Sequence, residues 1–338
     1  RPMQQKLNFL GKIQDKSLLR GVFVTVVIAI AGKFLADHYS APAPLFALMF
    51  GLGVNFLGSN EKCVEGISFC ERNVLKFGVV LLGFNLASIK PSILRPESLF
   101  IVILITISTI VFGLVVSFIL KKTRSFGILS GGAVAICGVS AAVAISSLLP
   151  ESRSKNAELR IVIIGVTLLS TLAMVVYPIA FSSFGLSDFE VGFLLGVSIH
   201  DVAQVIGAGY SVSDQAGLTA LIIKMIRVSL LPVVLLILFF TSGSQARPIR
   251  FRTVQFPFFI LGFVVCAIIA QTGVLPSYVY GWLINTSTWF ILIAITAIGI
   301  KTDISSIVHM SAGLGIALIL ITLFIVLAGV FAIPLIVG

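Results

Sequence analysis

Apolar residues run along this chain in long blocks separated by short polar linkers, from residue 18 almost to the end. A transmembrane helix needs about 20 predominantly apolar residues. The pattern predicts eleven segments, at 18 to 39, 43 to 58, 73 to 89, 98 to 120, 126 to 149, 158 to 183, 189 to 209, 215 to 241, 255 to 275, 281 to 300 and 311 to 337. The longest linkers start at Ser59, Pro150 and Ser242, and they carry the polar and turn residues of water-facing loops. None has room for a soluble domain. The chain therefore reads as a basic N-terminal segment, 1–17, followed by one transmembrane domain, 18–338.

Composition agrees with this reading. Of the 338 residues, 58% are hydrophobic and 11% charged, with a mean hydropathy of +1.14, whereas soluble domains average about 45–50% apolar and about 25% charged. A soluble globular protein, a disordered chain and a disulfide scaffold are all excluded. The net charge of +10 reports insertion rather than nucleic acid, because basic residues concentrate in cytoplasmic loops. With the N-terminus cytoplasmic and all eleven segments crossing, 15 basic residues fall inside and six outside. The exception is the linker after Pro150, where Arg153, Lys155 and Arg160 fall outside. That exception disappears if the fifth and seventh segments are re-entrant. The first segment is an uncleaved helix, since its basic lead-in is too long for a signal peptide.

Two segments resemble each other: LMFGLGVN (Leu48 to Asn55) in the second and FLLGVSIH (Phe193 to His200) in the seventh. Each is followed by a helix with Lys in its N-terminal half, Lys76 and Lys224. Pairing segments two to six with seven to eleven gives an extra helix, 18–39, and two five-helix repeats, 43–183 and 189–337. An odd number of crossings inverts the second copy. The expected fold is an all-α polytopic membrane protein of about eleven helices, built from two inverted repeats with broken crossing helices. The fifth segment contains Gly131, Gly132 and Gly138, and a break is expected near Cys137 to Ser140. Its repeat partner, the tenth, carries Asn285, Thr286, Ser287 and Thr288 in a row and is the second expected break. Non-helical backbone at membrane depth needs protein or a wet cavity to satisfy it. Simple helix packing by Gly and Ser is the competing reading of both.

The seventh segment places Ser198, His200, Asp201 and Gln204 inside an apolar stretch, and the next helix carries Lys224 and Arg227 on one face. Ionisable groups at membrane depth are functional candidates. Antiparallel packing about a turn near Val212 would set Asp201 beside Lys224 and Arg227 beside Ser198. Asp201 neutralises one cation and leaves one over, which favours an anion. Arg offers planar recognition of an oxyanion, and exposed helix N-termini add donors. His200, Asp201 and Gln204 are candidates for proton or ion coupling. A closed Asp–Lys or Asp–Arg bridge that only fixes packing is the plainer alternative. Asn55 and Asn85 are candidate cavity-lining residues, and Lys301 and Asp303 read as interfacial anchors. No Cys/His metal spacing exists among the four cysteines, and no metal or organic cofactor is expected beyond a coupling H+ or Na+.

The strings AICGVSAAVAI (Ala135 to Ile145) and GVSIHDVAQVIGAG (Gly196 to Gly209), with Lys224, Arg227 and AIGIKTDI (Ala297 to Ile304), resemble the sulfate exporter family of bacterial inner-membrane proteins. That family is similar to the superfamily of cation:proton antiporters and bile-acid sodium symporters, with inverted five-helix repeats and two broken helices crossing at the midplane. The resemblance implies the fifth and tenth segments as those helices, and Cys137, Gly138, Ser140, Ser198, His200, Asp201 and Gln204 as signature positions. It also implies a small oxyanion as substrate. Val139 and Val143 to Ser146 depart from the family pattern, which bears on substrate more than on fold.

The sequence thus predicts a secondary active oxyanion transporter working by alternating access, not an enzyme. Cys137, Gly138, Ser140, Ser198, Lys224, Arg227, Thr286 and Ser287 are the expected substrate contacts. Its partners would be a small anion and the lipid bilayer, with a homodimer allowed and no nucleic acid. A passive anion channel and an intramembrane hydrolase using Ser140 with His200 are the rivals.

Overall fold

A computed structural model describes residues 16–39, 43–88, 96–150, 154–241, 258–301 and 312–337. Most of the basic N-terminal segment, the linker after Ser242 and Asp303 lie outside these residues. The described residues are helices joined by turns, bends and short irregular stretches, with no strand among them. Among the described residues, six helical runs, 214–240 counted as one, are long and apolar enough to cross a membrane. The chain divides into two compact units, 1–89 with 258–303 and 90–257 with 304–338.

The first unit contains α1 (Lys16–Tyr39), α2 (Ala43–Gly53), α3 (Val64–Phe69), α4 (Leu75–Leu82), α13 (Phe258–Thr272) and α14 (Ser277–Lys301). A π-helical turn at Cys70–Val74 joins α3 to α4, so the polar stretch expected as a loop up to residue 73 is helical from Val64. Its Glu71 carboxylate pairs with Lys301 at the end of α14, which satisfies both charges within the unit. The α2 and α14 backbones touch at Gly51 and Gly299, where a Cβ on either would lie within 2.6 Å of a backbone oxygen of the other helix.

The tenth segment is the clearest correction. It forms α14 without interruption. Thr286 and Thr288 donate to the carbonyls of Trp282 and Ile284 in their own helix, and Ser287 donates to the Gly78 carbonyl at 2.7 Å. Hydroxyls that find acceptors in the preceding turn or on a packed neighbour leave the helical ladder intact.

The second unit contains α5 (Pro96–Ile119), α6 (Arg124–Ala135), α7 (Val139–Leu148), α8 (Lys155–Ser183), α9 (Asp188–Ser198), α10 (Val202–Val212), α11 (Asp214–Ser229), α12 (Leu231–Thr241) and α15 (Ala312–Val337). The fifth and seventh segments are not single continuous helices; each folds back on itself as a helical hairpin. In the α6–α7 pair the fold-back shows at the base. Thr123, which caps α6, donates to Glu158 at 3.1 Å, and Lys155 donates to the Leu149 carbonyl that ends α7. Both arms therefore end at the start of α8. In the α9–α10 pair it shows in the packing on α11. Gly192 lies against Ala216 and Thr219 while Gly196 lies against Ala220 and Ile223, so α9 runs parallel to α11. Gly209 lies against Ala216 and Gly217, which makes α10 antiparallel to it.

Lengths complete the argument. At 1.5 Å per residue the 29 residues of α8 extend about 43 Å, enough to cross, whereas the 12 of α6 and 11 of α9 reach only about 17 Å. The first hairpin has its base at the N-terminal end of α8. The second follows its C-terminal end after four residues, so the two bases lie at opposite ends of α8.

Candidate functional site

The two hairpin tips are breaks with related sequences, Ile136-Cys137-Gly138 and Ile199-His200-Asp201, each followed by Val as the first residue of the returning arm. Gly138 has φ +61° and ψ −121°, a conformation that a side chain strongly disfavours, and this is what stops α6 and starts α7. At the other tip Ile199 and Asp201 are extended, and the Asp201 carboxylate caps α10 by accepting from the Ala203 N–H at 3.0 Å. Capping therefore gives Asp201 a structural task beside any role in coupling.

Mid-helix hydroxyls hold the second tip. The N–H groups of His200 and Asp201 both donate to Ser170 Oγ, at 3.2 and 3.1 Å. Ser170 is fully buried near the middle of α8, about 22 Å from its start. The tip thus sits halfway along a crossing helix. His200 Nε2 hydrogen-bonds Thr322 of α15 at 3.1 Å, and Gln204 Nε2 donates to Thr171 at 2.8 Å. Among the described residues, no hydrogen bond of good geometry reaches the buried His200 Nδ1 or Gln204 Oε1. Ser198, by contrast, donates to Leu194 of its own helix.

Lys224 and Arg227 are 0% and 1% exposed, and both reach backbone carbonyls. Lys224 Nζ donates to Ile199 at 2.9 Å. Arg227 joins the two hairpins. Its Nε donates to Ala135 at 2.8 Å and Nη2 to Val134 at 2.7 Å, while Nη1 donates to Gly196 at 2.8 Å and Ile199 at 3.2 Å. The orphan carbonyls that end α6 and α9 thereby find a cationic donor. Lys224 and Arg227 thus meet the chain at 196–199, although α9 runs parallel to α11 where antiparallel packing was expected, and the fork of Arg227 is turned to carbonyls. Four of its hydrogen bonds already go to the chain.

The returning arms present the opposite polarity. The first N–H groups of a helix have no acceptor within it, and Gly138 provides no side-chain cap. The α7 start at Val139 and Ser140 and the α10 start at Val202 lie at the two tips, with positive dipole ends there. Ser140 is exposed and Asp201 half-buried, whereas Cys137, His200, Lys224 and Arg227 are buried behind them. Cys137, Asp201, Lys224 and Arg227 interact electrostatically. The site thus sets two basic side chains, Lys224 and Arg227, against one acidic one, Asp201.

Of the remaining candidates, Thr286 and Ser287 make their hydrogen bonds within the first unit, where Asn55 is exposed and Asn85 half-buried in short 3-10 turns. Sequence reasoning missed Ser170, Thr171 and Thr322. The available signal was a hydroxyl inside an otherwise apolar run, which most membrane helices also contain.

A family model described as Conserved hypothetical protein 698 matches residues 18–319. A UPF0324 membrane protein of Chlorobaculum tepidum is 39% identical over 311 residues, covering 90% of this chain and 87% of the relative. The UPF0324 membrane protein TauZ of Paracoccus denitrificans is 40% identical over 322 residues, covering 91% and 93%. One of Rhizobium meliloti is 38% identical over 317 residues, covering 92% of each. Matched along nearly its whole length by these relatives and by the family model, the chain belongs to the UPF0324 membrane protein family.

Proposed function

We propose that this protein is a secondary active transporter, an exporter of a small oxyanion such as sulfate or sulfite, working by alternating access with proton or sodium coupling. One observation carries the reading: two half-length hairpins from opposite sides meet tip to tip at a buried, two-cation cluster halfway along α8. Irregular backbone at such depth is characteristic of solute sites in transporters. The anion would face the α7 and α10 starts and Ser140, with Lys224 and Arg227 supplying positive field from behind. His200 and Asp201 would handle the coupling charge.

In this reading the eleven hydrophobic segments comprise nine crossings and two hairpins. A hairpin followed by a crossing helix, 124–183, is then repeated in inverted sense as 188–241. With a cytoplasmic N-terminus in a bacterial inner membrane, Arg153, Lys155 and Arg160 move to the cytoplasmic side. The ratio of basic residues, inside to outside, becomes 18 to 3.

The test is oxyanion flux into liposomes containing the purified chain, beside a thermal-shift panel of oxyanions across pH. Saturable flux of sulfate or sulfite, lost in Gly138→Val, supports the proposal. If no oxyanion on the panel is moved or stabilises the protein, the proposal fails. Currents far above a transporter's turnover would favour a channel.

A further inference from the structure

We propose that the guanidinium of Arg227 is a built-in counter-cation, standing where a coupling sodium ion would otherwise bind, and that the site works without sodium. The inference rests on the transporter reading above and narrows its coupling ion. It starts from the carbonyls. Two helices, α6 and α9, end at the tips, and each brings its negative dipole end to the same buried place. Carbonyl oxygens at the ends of broken helices are the ligands that membrane transporters offer to a coupling cation. Here Val134, Ala135, Gly196 and Ile199 all point at one guanidinium, at 2.7 to 3.2 Å. Ile199 also accepts from Lys224.

A sodium ion needs several such oxygens at once, and it would have to strip them from a donor covalently tied to α11. It would also have to sit beside two like charges that burial shields poorly. A tethered cation has no such difficulty, because its binding costs no translational freedom and its planar fork spans two separate helices. The same geometry explains why Arg227 is unsuited to leave for the substrate: the Ala135 and Gly196 carbonyls would lose their guanidinium donor in a buried place, and only Ile199 would keep Lys224. Its charge still acts on an anion at the α7 and α10 starts, which is how one residue can favour the anion and dispense with the metal ion.

The experiment is a melting series on the purified full-length protein in NaCl, KCl and choline chloride at equal ionic strength, with oxyanion flux measured in the same salts. A resident sodium site held at a hundred times its Kd would raise the melting temperature by roughly 4 °C. The wild-type protein is expected to melt at the same temperature in all three salts, and its flux to be unchanged when sodium is withdrawn. Arg227→Ala is expected to melt roughly 4–7 °C lower. Millimolar guanidinium should restore part of that loss, choline none, and Arg227→Lys should fall between. A saturable rise specific to sodium in the wild-type protein, or flux that requires sodium, overturns the proposal, and neither result needs the variant to fold. If no oxyanion is transported at all, the functional reading falls, while the wild-type melts and the guanidinium rescue still decide this inference.

Discussion

Replacing Ser170 by Ala removes a single oxygen from the middle of α8, yet it should disturb the second hairpin tip more than its size suggests. That oxygen accepts from two backbone donors, His200 N at 3.2 Å and Asp201 N at 3.1 Å, at a position with 0% exposure. Leaving a buried donor unpaired costs about 1–3 kcal/mol. Two donors therefore give about 2–6 kcal/mol, offset by about 0.5 kcal/mol because Ala is the better helix former. The net expectation, about 2–5 kcal/mol, corresponds in a chain of 338 residues to a melting temperature lower by roughly 3–7 °C. Thr167→Ala serves as the control, since Thr167 is exposed and donates only to Ile163 of its own helix. It should change stability by less than about 0.5 kcal/mol. Paired melts of the two variants, with oxyanion flux as the functional readout, test the reasoning. If Ser170→Ala melts within 1 °C or so of its Thr167→Ala control, the tip is held by something other than this hydroxyl.

Three other expectations follow from the same geometry. Gly138→Ala meets no steric obstacle, the nearest side-chain atom being 3.6 Å from the added Cβ, but φ +61° there costs about 1–3 kcal/mol, and flux should fall with stability. Single cysteines placed at Lys122 and Lys155 should react with a membrane-impermeant maleimide from one side and those at Ser187 and Asp214 from the other. Labelling of positions 122 and 155 from opposite sides would refute the first hairpin. Neutralising the half-exposed Glu71–Lys301 pair with Glu71→Gln should cost less than about 1 kcal/mol, measured as a melting shift that shrinks in high salt.

What the amino-acid sequence determined was the class and the chemistry. Long apolar runs require helices, because lipid satisfies no backbone group, and the charges at 200–204 and 224–227 stood out because ions are rare at that depth. Gly138 also marked its own break. The basic residues after Pro150 were the misfit in a count that otherwise suited eleven crossings, and fold-back of the fifth and seventh segments was the alternative that removed it. Hydropathy could not make that decision, since about 24 apolar residues satisfy one full crossing or two half-crossings equally well. The Ser/Thr run in the tenth segment misled for a related reason: whether a hydroxyl breaks a helix depends on where its acceptor lies, and the Gly78 carbonyl that receives Ser287 is 209 residues away in the chain. The partners of Arg227 were the least legible of all. They are main-chain carbonyls of Val134, Ala135, Gly196 and Ile199, and every residue has a carbonyl. Only the tertiary fold, by ending two helices at one point, made those four into a site.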